Sequence, residues 1–374
     1  MHPFHPRAIS RRAVLKAGGL LGALGMGAAA TPAAAATHDA QAVPSPGHGA
    51  GPRHGDNRVV GSVDHDRNGF DPWTIATEFE FGEVSQENGR TMREFTLTAM
   101  DKEIEIAPGI MFPAWTYNGR VPGPTLRCVE GERLRVRLLN AGTHPHSVHF
   151  HGIHSARMDG VAGPSIVEPG GEFVYEFDAR PFGCHLYHCH TLPLKRHIHK
   201  GLYGTFIIDP DPQRHPEHAE AARGRLFGTP EHARWQEFVI VMNGFDTDFD
   251  DENEFYAANT IPFAYFDRPL QVERARPVRL YVVNLTEFDP INSLHLHAVF
   301  FDVFRTGTSL TTAEHTDTVM LCQGERAILE TTFRYPGDYM FHAHQSEFAE
   351  LGWMGLFRAE APAQTGAAGE AAGG

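Results

Sequence analysis

Apolar and polar residues alternate with a period of two through most of the chain, the spacing of strands that bury one face. The alternation is clearest in Glu94-Phe95-Thr96-Leu97-Thr98-Ala99 and in Leu134-Arg135-Val136-Arg137-Leu138. Phe173-Val174-Tyr175-Glu176-Phe177 and Gly204-Thr205-Phe206-Ile207-Ile208 read as further strands. Strand character begins at about Trp73, and Gly119, Pro122, Gly123 and Pro124 mark turns. A charged stretch over residues 209–234 then interrupts the pattern, with a short helix expected near residues 218–225.

The pattern restarts after this stretch. Phe238-Val239-Ile240-Val241-Met242 is a strand, and Val278-Arg279-Leu280-Tyr281-Val282-Val283-Asn284 parallels the run that ends at Asn140. Tyr335-Pro336-Gly337 stands before a His-x-His triplet as Arg180-Pro181-Phe182-Gly183 does before another, and Gly352-Trp353-Met354-Gly355 parallels Gly201-Leu202-Tyr203-Gly204. Many short strands in two similar runs predict an all-β protein of two Greek-key β-sandwich domains, over residues 73–212 and 236–361. Residues 37–72, rich in Gly, Pro, His and Asp, read as a flexible lead-in, 213–235 as a linker and 362–374 as a disordered tail.

Residues 1–36 form a targeting segment. Ser10-Arg11-Arg12-Ala13-Val14-Leu15-Lys16 precedes a short apolar run rich in Gly and Ala, the pattern of a twin-arginine export signal rather than a membrane anchor. A periplasmic or secreted protein is expected, with no membrane span once the signal is removed. The net charge of −14 argues against a nucleic-acid partner, which selects basic surfaces. Cys128, Cys184, Cys189 and Cys322 are the four cysteines; Cys189 stands among metal-type residues, and the others leave either one disulfide or free thiols.

The 24 histidines are the compositional outlier, and their spacing carries the chemistry. In a strand, successive side chains point to opposite faces. In Tyr187-His188-Cys189-His190 the two imidazoles therefore face one way and the thiol the other. In His146-Ser147-Val148-His149-Phe150-His151, His149 and His151 share a face and His146 lies opposite. So His146 can join Cys189 at one site while four histidines gather at another. The second domain repeats the motifs as Asn292-Ser293-Leu294-His295-Leu296-His297 and Phe341-His342-Ala343-His344. There Asn292 stands for His146 and Ala343 for Cys189. Both off-face ligands are missing together while both on-face pairs remain. A zinc site is the generic alternative for clustered Cys and His, but one thiolate beside so many paired imidazoles suits copper better.

His-x-x-His-x-His with His-Cys-His resembles the multicopper oxidase family, in a two-domain form built from cupredoxin domains, over roughly residues 75 to 360. The resemblance implies four coppers per chain. A type 1 copper would use His146, Cys189 and a histidine before Gly201, for which His197 fits the count and His199 is the reserve. Its axial position falls on Leu202, which cannot ligate and should raise the potential. His149 and His295 would hold the type 2 copper, and His151, His188, His190, His297, His342 and His344 the type 3 pair. Asp159, and Glu347 and Glu350 after the second His-x-His, are candidates for supplying protons, although Asp159 before Gly160 is equally a turn residue. In two-domain relatives the half-clusters meet between subunits, which implies a homotrimer.

That resemblance implies a laccase-like activity: phenols or aryl amines supply single electrons and O2 is reduced to water. A copper nitrite reductase is the first alternative, but relatives of that kind carry Asp at the position of His149 and a non-ligand at that of His190. A non-enzymatic copper-binding or electron-transfer protein is the second, and it leaves the sorting of ligands by face unexplained.

Overall fold

The structure, a computed structural model, describes residues 62–312 and 314–361, all within one unit, Pro52–Gly374. The segment expected to be an export signal and the tail after residue 361 lie outside the described residues. The first domain carries β1 (Glu83–Glu87), β2 (Arg90–Ala107), β3 (Ile110–Tyr117), β4 (Leu126–Val129), β5 (Arg133–Asn140), β6 (His149–Phe150), β7 (Glu172–Asp178), β8 (Gly183–His188) and β9 (Tyr203–Asp209). The second carries β10 (Gln236–Phe245), β11 (Phe255–Ala258), β12 (Leu270–Glu273), β13 (Pro277–Asn284), β14 (Ile291–Leu296), β15 (Phe301–Arg305), β16 (Glu314–Thr316), β17 (Thr318–Cys322), β18 (Arg326–Thr332), β19 (Gly337–His342) and β20 (Met354–Glu360).

The duplication seen in the sequence is a duplication of pairings. β2 runs parallel to β5 and β5 antiparallel to β7; β10, β13 and β18 repeat both relations. The second sheet of the first domain has the order β4-β9-β8-β6, and β12-β20-β19-β14 repeats it with β17 added. These are two cupredoxin-like sandwiches. In β5, Leu134, Val136 and Leu138 are buried in the sandwich interior, each worth about 1.5–3 kcal/mol of transfer free energy, while Arg133, Arg135 and Arg137 pair outside with Glu176, Glu87 and Glu172.

β8 and β9 are buried along their whole length, with no alternation. The reason is a third apolar cluster between the domains. Cys184, Leu186 and Ile207 on one side pack with Val239, Val241, Tyr281, Val283 and Ile328 on the other. A buried charge network continues this contact. Arg127 binds Asp209 at 3.1 Å and Glu237 at 2.6 Å, and Glu237 also accepts from Arg279 and Tyr281.

Two expectations need correction. Residues from Ser62 onward are not a loose lead-in: Asn68 is fully buried and exchanges side-chain hydrogen bonds with the backbone of Glu105 at 2.8 Å. At Trp73 the chain enters a helix, Pro72–Thr77, rather than a strand, because Asp71 caps it through Thr74 N and Pro72 presets its first turn. Polar anchors of this kind leave no apolar period to read. The expected short helix occupies Ala219–Arg225, and Arg225 at its end is buried against Glu330.

Candidate metal centre

β6 and β8 lie antiparallel with His149 opposite His188, and the ladder runs on past β8 through Cys189 N to Leu202 O at 2.9 Å. His146, in a lone bridge to Val167, is carried to the other face. There Cys189 Sγ lies 3.2 Å from His197 Nδ1 and 4.0 Å from His146 Nδ1, and the two Nδ1 atoms are 3.3 Å apart. All three residues are buried. His197 comes from the helix Leu194–His199. His199, two residues on, turns away and accepts from the Asp246 amide at 3.0 Å. Leu202 is fully buried in the apolar cluster that holds Cys189, and its amide binds His197 O at 3.2 Å. Ser147 N donates to Cys189 Sγ at 3.3 Å, and Trp115 packs on both histidine rings.

Four imidazoles face the opposite side. His151 Nε2 and His188 Nε2 are 3.0 Å apart, while His149 packs against His151, His188 and His190. Two of the far nitrogens are anchored. His149 Nδ1 donates to Asp159 O at 3.0 Å and His188 Nδ1 to Cys189 O at 2.9 Å, which leaves each Nε2 with a lone pair. Gly160, at φ +72°, lets the Asp159 loop pass so close to Val148 that a Cβ would stand 2.4 Å from its carbonyl oxygen.

The second domain repeats the imidazole pairing and its carbonyl anchors. His297 Nε2 and His342 Nε2 are 3.0 Å apart, His295 Nδ1 donates to Asp317 O at 2.9 Å and His342 Nδ1 to Ala343 O at 2.6 Å. Ser147 Oγ accepts from His190 N, and Ser293 Oγ from His344 N. His297 and His344 are exposed. Among the described residues no metal-type group combines histidines of the two domains.

Burial pushes His146 and His151 down to about 3 and His188 and His197 to about 4, so these imidazoles are neutral and able to bind metal. With His188 Nδ1 committed to a carbonyl, the 3.0 Å gap between the two Nε2 atoms is bridged by a proton on His151 Nε2 or by a cation. Burial also pushes the Cys189 thiol up, against hydrogen bonds from Thr191 and Ser147. This donor set of one sulfur and two buried nitrogens, with imidazole pairs behind it, fits copper.

The three candidate acids separate. Asp159 Oδ1 lies 3.0 Å from His149 Nδ1. Glu347 and Glu350 sit exposed on the helix Ser346–Glu350, with no side-chain hydrogen bond or ion pair among the described residues, and do not reach the first-domain histidines. Asp317 was not legible in the sequence, because it follows His295 by 22 residues where Asp159 follows His149 by 10. All four cysteines are free.

Models of the multicopper oxidase family match residues 99–213 and 239–363, which together cover more than half of the chain. The chain belongs to the multicopper oxidase family. A crystal structure of a multicopper oxidase is 50% identical, covering 80% of this chain and 100% of that one, with a TM-score of 0.73. The blue copper oxidase from Nitrosomonas europaea is 25% identical over 72% of this chain and 86% of its own, at a TM-score of 0.59. The copper-containing nitrite reductase of Neisseria meningitidis is 27% identical over 268 residues, 66% of this chain, and the match spans 64% of that protein's length.

In this multicopper oxidase the second domain's counterpart of the sulfur site is filled. Asn292 accepts from Trp353 Nε1 at 3.0 Å, and Trp353, at the place of Leu202, is fully buried. Ala343 N still pairs with Trp353 O, as Cys189 N does with Leu202 O. The family binds copper and is a family of oxidoreductases. Among the described residues no helix is long and apolar enough to cross a membrane.

Proposed function

We propose that this multicopper oxidase is a laccase-like enzyme that takes single electrons from phenols, aryl amines or similar reductants and reduces O2 to water. The carrying observation is the pair of matched half-sites, each with four imidazoles and two of them anchored at Nδ1 on a carbonyl. His146, Cys189 and His197 would hold a type 1 copper, with the apolar Leu202 buried in the same cluster as Cys189. His149 and His295 would hold a type 2 copper, and His151, His188, His190, His297, His342 and His344 a type 3 pair. Bound copper supplies one-electron redox change and a site for O2.

The chain's own residues do the rest. Cys189 is joined to His188 and His190 by a few covalent bonds, a short route from one face of the strand to the other. Burial excludes water from the sulfur site. Asp159 orients His149 from behind. Among the described residues no metal-type group joins the two half-sites, which suits a site completed between chains; head-to-tail contacts of that kind would close into a ring, and a homotrimer is the expected assembly. The segment at residues 1–36 directs export by the twin-arginine route to the periplasm or beyond.

Nitrite reduction is the second reading, favoured by the Neisseria meningitidis relative. One sulfur site and eight imidazoles call for four coppers per chain; nitrite reduction needs two. Metal analysis, sizing in solution, and oxygen uptake with a phenolic or diamine dye test the proposal. Two coppers per chain with nitrite-dependent turnover and no oxygen uptake would replace it, and a fully active monomer would remove the trimer.

A further inference from the structure

The cavity in front of the first-domain histidines has a wall supplied by the second domain. It measures about 530 Å3, and His149, His151, His188 and His190 share it with Glu287 and Gln323. Gly324 continues this wall so closely that a Cβ there would stand 3.5 Å from His151 Cε1. The wall is fixed in place: Gly324 N binds Asn284 O at 2.8 Å, and Asn253 Nδ2 binds Glu287 O at 2.8 Å. Gln323 Nε2 donates to Glu287 Oε2 at 2.5 Å, and Glu287 Oε1 has no hydrogen bond among the described residues.

Glu287 is the one carboxylate lining this cavity among the described residues. Asp159 stands behind His149, on its Nδ1 side, and does not line it. We infer that Glu287 supplies protons to dioxygen as it is reduced in this cavity, an inference that rests on the oxidase reading. One O2 takes four electrons, from four one-electron reductant molecules, and four protons to give two waters. At each transfer the Glu287 O–H bond breaks and an O–H bond forms on the oxygen being reduced. The carboxylate then regains its proton from solvent, so Glu287 ends unchanged.

The surroundings suit a carboxyl that carries a proton. Burial pushes it up, against the Gln323 donor and the Lys195 ammonium. Lys195, from the helix Leu194–His199, is itself held by Asp251 at 2.5 Å, and Asp289 is occupied by Tyr256 and Asn253. The four histidines are the remaining titratable groups that line the cavity with it.

Glu287→Gln keeps the shape and the contact with Gln323. The copper-loaded variant is expected to keep its copper content, blue colour and unfolding midpoint. Its turnover at saturating O2 should fall roughly a hundredfold, the scale of a lost general acid, with KM for the reductant unchanged. Glu287→Asp should recover part of that loss. In copper-free protein, an infrared titration should show a protonated carboxyl band that persists to higher pH than an ordinary glutamic acid and is absent from Glu287→Gln. Wild-type turnover and pH profile in Glu287→Gln, an unchanged infrared titration, or loss of copper with normal turnover per bound copper would each overturn the inference. A wild-type protein that consumes no oxygen would overturn the oxidase reading and this inference with it.

Discussion

The Trp353 indole donates to the Asn292 side chain, 3.0 Å away, at the place where the first domain sets Cys189 against His146. One domain keeps a sulfur-centred donor set there, and the other has turned the same position into sealed core. Asn292 also accepts from Ser293 N and donates to Thr286 Oγ1, so its polar atoms are satisfied without metal. Asn292→Ala is expected to leave the indole N–H unpaired and cost about 1–3 kcal/mol, read as a lower denaturant midpoint, with the blue colour of the loaded protein unchanged. A bleached variant of wild-type stability would mean that this position belongs to a copper site.

Leu202 offers no lone pair next to the Cys189 site. Leu202→Met supplies a soft thioether in the same buried cluster. The type 1 potential of the loaded protein should fall, as followed by redox titration of the blue band. An unchanged or raised potential would show that this side chain does not face the metal.

Asp159 touches His149 through both its carbonyl and its carboxylate. Asp159→Asn keeps the carbonyl contact, so copper should stay bound and blue while oxygen reduction slows. Turnover unchanged across pH would remove Asp159 from the reaction.

The buried histidines link stability to pH. His146, His151, His188 and His197 are held by burial near 3 to 4, below the ordinary histidine value of 6.5. Between those values the unfolded chain binds more protons than the folded one, so stability rises with pH and is lost as pH falls from about 6.5 toward 3. Copper-free protein should therefore unfold at lower urea at about pH 5 than at about pH 7. Equal midpoints would show these rings to be exposed in solution.

Glu237 serves Arg127, Arg279, Tyr281 and His232 at once in the buried network that ties the domains. Burial pushes its carboxyl up, but Arg127, His232 and Arg279 outweigh this and hold it well below the ordinary range. Glu237→Ala leaves buried guanidinium charge under-compensated and should destabilise by about 3–5 kcal/mol, measured by chemical unfolding. A loss below about 1 kcal/mol would place the network in water, where such pairs are weak.

Period-two alternation and the spacing of His-x-x-His-x-His and His-Cys-His are local properties of an extended backbone. From them the sequence alone determined the β architecture, its duplication, and which imidazoles share a face, since a strand places alternate side chains on opposite sides wherever it lies. Tertiary packing decided the rest. His197 and His199 stand only two residues apart, and only the turn of one short helix separates the ring beside Cys189 from the ring beside Asp246. Trp353 filling the second-domain site depends on volume in a core built from distant strands. Glu287 lines the cavity of the first-domain histidines from the other domain, 97 residues beyond His190, and Asp317 reaches His295 from another strand edge. Such contacts follow from how sheets stack and loops cross, and no local period encodes them.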